Sequence, residues 1–283
     1  MQHFNSYDGF KEAVIGNLAK YNPGKPGYYP RFKKYYDHIV EIPAKASKRQ
    51  KEKIVKEIIQ GDCVNPDLYT SPHMYAHHLN SSQVVCYEFF RPLIAADKEL
   101  LPRMKECLLK MGIPQDKFEK GHAEFEWVPY PEENTNFDFY AQCDNAKAYF
   151  EIKYTEQGFG QCDNDKKHKD KFKRIYEPMI ENCACLIRKP TFDEFRKNYQ
   201  LFRNTLRITK EHWQNEYVIF LFPRENVIAQ MHFEAFLHNY VSKEFYNHVI
   251  SVHWEDLTEF MSDRFRDKFF FYTIHAGPHC IFP

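Results

Sequence analysis

Residues 136–153 read NFDFYAQC-DN-AKAYFEIK, two eight-residue runs either side of Asp144-Asn145. Asp and Asn tolerate the left-handed backbone of a tight turn, so the segment predicts a β-hairpin. Alternation is nearly complete. Phe137, Phe139, Ala141, Cys143, Ala146, Ala148, Phe150 and Ile152 share one face, and Asn136, Asp138, Tyr140, Gln142, Lys147, Tyr149, Glu151 and Lys153 share the other. A two-residue turn pairs Cys143 with Ala146. Carried along the ladder, that register sets Asp138 directly opposite Glu151, with β-carbons about 5 Å apart. Lys153 follows two residues on, on the same face.

Two opposed carboxylates repel, which a purely structural hairpin avoids. A divalent cation between them removes the repulsion. Two hard oxygen ligands can hold Mg²⁺ (or Mn²⁺) with positions left for water and a scissile phosphate. A lysine beside them can orient or deprotonate that water and offset developing charge. The same letters also fit a half-exposed hairpin in which Lys153 simply pairs with Glu151, and D…ExK alone is a loose pattern.

Working outward, SSQVVCYEFFR (81–91) predicts a helix entered through Ser81 or Ser82 and broken before Pro92. Residues 97–111 predict a helix stopped at Gly112, and FEWVPYPEE a strand and turn. Residues 192–208 predict one helix capped by Thr191. EYVIFLF (216–222) has the unbroken apolar character of a strand buried on both faces. A helix over 226–240, a strand over 248–254 and a short helix after it complete an alternating C-terminal third. The pattern predicts an α/β fold: a mixed sheet with helices on both faces and the hairpin near its centre. No linker is readable, so one domain over 1–283 is expected, with a helical or irregular extension (1–75) before the core (76–275). Within that extension, YNPGKPGYYPRFKK (21–34) reads as an irregular loop and 47–60 as a lysine-rich helix capped by Ser47.

Composition narrows the function. The chain has 283 residues, with 39 basic and 39 acidic, so nucleic-acid affinity must come from local clusters such as residues 166–174. Phe172 in that run could add stacking on bases. Ten glycines argue against a glycine-loop nucleotide binder. Eight cysteines without a C-x-x-C give neither a zinc pattern nor a disulfide framework. No stretch approaches a membrane span and the first residues have no apolar signal core, so a cytoplasmic protein with no membrane partner is expected.

FD, twelve residues, then FEIKYTEQGFG resembles motifs II and III of the PD-(D/E)XK nuclease superfamily. HHLNSSQVVCYEFFRPL and NYQLFRN resemble segments of a group of uncharacterised bacterial restriction-endonuclease-like proteins within it, over roughly residues 75–255. The resemblance implies a restriction-endonuclease-like sheet and Mg²⁺-dependent hydrolysis of DNA. It makes Asp138 and Glu151 the metal ligands and Lys153 the catalytic lysine. Glu88 is the candidate for the extra acid such sites take from the preceding helix. Phe137 stands where motif II often has proline. Ser82, Gln83, Glu156, Gln200, Arg203 and Asn204 are candidate substrate contacts. Gly158 and Gly160 could let the backbone approach a phosphate. Cutting both strands with one kind of site calls for two copies, hence a homodimer, although no symmetric interface is readable. The alternative reading is an inactive nucleic-acid-binding or protein-interaction module on a nuclease fold.

Overall fold

The computed structural model describes residues 4, 6–29, 32–43, 45–47, 49–51, 53–54, 77–95, 97–114, 120–133, 135–143 and 145–273. Its centre is a five-stranded sheet of β3 (Gly121–Trp127), β4 (Phe137–Cys143), β5 (Ala146–Ile152), β6 (Glu216–Phe222) and β7 (Val249–His253), in that spatial order. β3, β4 and β5 are antiparallel, whereas β5, β6 and β7 run parallel. The expected mixed sheet is therefore observed, with the hairpin beside its middle. The hairpin keeps the register read from its turn: Cys143 faces Ala146 and Phe139 faces Phe150. β6 is interior, and each of its seven residues is buried. Aliphatic and aromatic side chains on both of its faces have apolar partners, so none needs water.

Two hydrophobic clusters cover the sheet. On one face, α1 (Tyr7–Ala19), α2 (Ser82–Phe90), α3 (Pro102–Lys110) and α9 (Asp263–Phe269) close over Phe139, Ala141, Phe150, Ile152, Ile219 and Leu221. On the other, Tyr140, Tyr149, Val218 and Phe220 lie under the helical run 166–182, α6 (Phe192–Lys197), α7 (Tyr199–Thr205) and α8 (Val227–Tyr240). The run 166–182 comprises α4 (Lys166–Lys171), a π turn at Phe172–Tyr176 and α5 (Glu177–Asn182). No helix among the described residues is long and apolar enough to cross a membrane.

Four local expectations change. Phe137 belongs to the second cluster, with Tyr140 and Tyr149, so alternation along β4 breaks at Asp138. The neighbouring strand explains the break: Glu126, beside Asp138, has a left-handed φ of 52°, and Phe125 and Trp127 consequently face opposite clusters. The helix expected over 192–208 is two helices, because Asn198 leaves helical geometry and its amide caps the Glu194 carbonyl. Residues 21–34 are not a free loop: β1 (Pro26–Tyr29) pairs antiparallel with β2 (Lys34–Val40). Four tyrosines favour the pleated ribbon over the Pro and Gly punctuation. Gly27 permits it, since a β-carbon there would lie 2.5 Å from Ile39 Cγ2. The basic run is helical, and Phe172 within it is buried against Phe192 and Phe195 and offers no ring to a base. The helix expected at 47–60 lies mostly outside the described residues; at its start Ser47 Oγ accepts from the Gln50 N–H.

Candidate active site

The open end of the hairpin forms the floor of a cleft of about 890 Å³ that takes in Asp138, Glu151, Lys153, Ser82, Gln83, Glu126, Glu156, Gln200 and Arg203. Glu151 is 3% exposed yet both oxygens are engaged. Lys153 Nζ donates to Oε1 at 2.8 Å, and Arg203 Nη2 and Asn204 Nδ2 donate to Oε2 at 2.8 and 2.7 Å. Burial pushes this carboxyl up, but Lys153 and Arg203 outweigh it, so Glu151 is held below its ordinary range and stays anionic. Burial alone would neutralise Lys153; Glu151, Glu156 and Asp138 keep it cationic, with a raised pKa.

Asp138 behaves oppositely. Its Oδ2 accepts from the Ile152 N–H at 2.7 Å. Burial raises its pKa well above the usual carboxylate range, Glu151 adds to this, and Lys153 only partly opposes it. A third acid completes the set. Glu126 accepts from Gln83 Nε2 at 2.5 Å and from Asn136 Nδ2. Burial lifts it to about 7, the Gln83 bond pulls it down and Glu151 adds to the rise. Three acids on three adjacent strands, two of them destabilised as anions, form a donor set whose repulsion a divalent cation would relieve. The donor chemistry therefore fits such an ion. The three are not drawn tightly together, however. The trio of acidic or histidine groups that does converge within 4.8 Å, among the described residues, is the exposed Asp163 and Asp165 with half-buried His168.

The remaining candidates divide. Gln83 holds Glu126, while Arg203 and Asn204 hold Glu151, so all three position acids. Glu156 caps two amides, Ser82 N at 3.3 Å and Tyr154 N at 2.6 Å, and brings its charge to the start of α2. Ser82 takes part through its backbone. Gln200 accepts from the Gly160 N–H. Gly158 and Gly160 are not open to a phosphate on their free sides, which His232 and Gln200 fill. Glu88 is the clear correction. Its carboxylate pairs with Lys268 on α9 at 2.5 Å, away from the cleft. At 100° per residue it lies about 140° round α2 from Gln83, which does face the acids. The further acid that does line the cleft is Glu126, on β3. Its sequence signal was the strand FEWVPY itself, read for structure and not for its carboxylate.

A family model described as "Restriction Endonuclease associating with ARP" matches residues 27–270. The chain belongs to this family. No curated protein and no solved structure matches it. The match of this restriction-endonuclease family member runs from β1 to the end of α9. It therefore includes every cleft residue named above. The restriction-endonuclease family agrees with the sequence resemblance, and the mixed α/β sheet with the alternating pattern of strands and helices.

Proposed function

We propose that this protein is a metal-dependent DNA endonuclease of the PD-(D/E)XK type, with Asp138 and Glu151 as metal ligands and Lys153 as the catalytic cation. The observation that carries the reading is that buried Glu151 and Lys153 and half-buried Asp138 lie together at one end of a cleft, with Glu126 as an additional acid. A bound Mg²⁺ or Mn²⁺ would supply Lewis acidity toward the phosphoryl oxygen and a more acidic water. The chain's own residues do the rest. Asp138 and Glu126 present charge that burial has left under-compensated, which favours a cation over water. Arg203 and Asn204 fix the Glu151 carboxylate in one rotamer. Lys153, kept protonated by its acidic neighbours, stabilises negative charge on the phosphate more readily than it accepts a proton. The membership of a restriction-endonuclease family supports DNA as the substrate.

The direct test is cleavage of plasmid and of circular single-stranded DNA with Mg²⁺ by wild type beside Asp138→Ala. Wild type cuts at least one of the two; the variant loses activity by 10³-fold or more, an order set by losing a metal ligand. Ca²⁺, larger and a weaker acidifier of water, binds but supports little cleavage. Full activity in Asp138→Ala would remove Asp138 from the site and end the reading, whereas a wild type that cleaves nothing would favour an inactive module on a nuclease fold.

A further inference from the structure

The segment that closes one side of the cleft has a composition unlike the rest of the chain. Residues 25–38, KPGYYPRFKKYYDH, carry five aromatic rings and four cations against one carboxylate, in a protein of zero formal net charge. Pro26–Tyr29 and Lys34–Val40 form the β1–β2 ribbon, which no third strand joins among the described residues. Its rings are used on both faces. Tyr28 and Tyr35 lie side by side at 5.2 Å on the outside, 46% and 61% exposed. Tyr29 and Tyr36 line the cleft that holds Asp138, Glu151 and Lys153. Phe32, at the turn, does both: it borders the cleft and is 58% exposed. Lys34 lies over the Tyr36 ring at 5.5 Å, next to Lys33, which takes a left-handed φ of 51° at the tip.

Isolated exposed rings are ordinary. Three within eight residues, interleaved with lysines and flanking a cleft floored by acids, are the composition with which proteins hold a strand of nucleic acid. Cations track the phosphates, and rings stack on bases. The ring arithmetic then separates two kinds of DNA. Bases inside a duplex are already stacked and paired, so a ring gains nothing from them unless the duplex opens. We infer that the β1–β2 ribbon is a base-stacking wall and that the cleft selects DNA with unpaired bases at the cutting point: a single strand, a gap or a flap. The inference rests on the nuclease reading for its position, because the ribbon flanks that same cleft.

The test measures DNA binding separately from cleavage. Fluorescence anisotropy of the full chain in EDTA compares a labelled oligothymidylate with a mixed-sequence duplex. Wild type binds the single strand more tightly. Phe32→Ala and Tyr35→Ala each weaken single-strand binding on the order of tenfold and change duplex binding less than about twofold. Phe32→Trp restores it, and the dependence on salt stays as in wild type. Lys34→Ala does the reverse: it lowers the salt slope by about 0.7 while preserving the single-strand preference. Unchanged melting temperatures exclude unfolding at these exposed positions. A wild type that prefers duplex, or alanine variants that bind the single strand as well as wild type, overturns the stacking wall. Neither result touches the nuclease reading, which Mg²⁺-dependent cleavage and its loss in Asp138→Ala decide alone. Stacking intact in a protein that cleaves nothing with Mg²⁺ or Mn²⁺ would keep the wall and overturn the nuclease.

Discussion

Arg203 and Arg207, one helical turn apart, each hold a buried glutamate, and the Phe137 ring lies between their guanidinium groups at 5.7 and 5.5 Å. The two pairs differ in their neighbours. Glu133 is fully buried with Arg207 on one oxygen and no partner on the other. Glu151 has Arg203, Asn204 and Lys153, yet shares its surroundings with two further acids. A structural ion pair needs only to neutralise itself. A site assembles more like charge than it neutralises, because a ligand supplies the difference.

Breaking the structural pair gives the largest effect on stability. Arg207→Ala leaves Glu133 buried without a partner and costs about 3–5 kcal/mol, lowering Tm by roughly 10 °C. Thermal melting checks this, and the cleavage rate of the folded fraction changes little. Lys153→Ala acts in the opposite way: Tm moves by a few degrees at most, while single-turnover cleavage slows about 10²-fold. A wild-type rate there would make Lys153 a structural partner like Arg207.

Glu126→Gln sharpens the contrast through pH. Its carboxyl is raised to about 7 in the fold, so the folded state holds the proton that the unfolded chain has already lost. The wild-type fold is therefore penalised increasingly as pH rises from the ordinary carboxylate range, with the full penalty above about pH 7. The glutamine variant, measured without metal, is more stable by about 1–2 kcal/mol at pH 8 and loses that advantage near pH 4. Urea melts at the two pH values test the sign; an advantage that grows on acidification contradicts it. Added Mg²⁺ should raise the wild-type Tm more than that of Glu126→Gln. The smallest effect is expected at Glu88: Glu88→Gln weakens the Lys268 pair and lowers Tm slightly, with cleavage within about twofold of wild type.

Much of the framework was legible because its signals are local. Two runs of period two around a turn dipeptide fixed the hairpin register, and an unbroken apolar run identified β6 as interior. Register then put Asp138, Glu151 and Lys153 at one end of one ladder. Aromatic β-formers in 26–40 carried a strand signal too, but Pro and Gly masked it.

What the sequence could not settle depends on packing between distant segments. Which strand flanks β4 decides the third acid, and only the assembled sheet sets β3 there. The left-handed φ of Glu126 then breaks the alternation, sending Trp127 and Phe137 to the far cluster. The angular position of Glu88 round α2 was available from helical geometry, but its meaning needed α9, whose Lys268 claims it. Arg203 and Asn204 read as substrate contacts until α7 set them against Glu151. By itself the sequence determined which residues share a strand face, because that follows from the backbone's period of two. The tertiary structure decided which faces meet, because that depends on how two hydrophobic clusters close over opposite sides of one sheet.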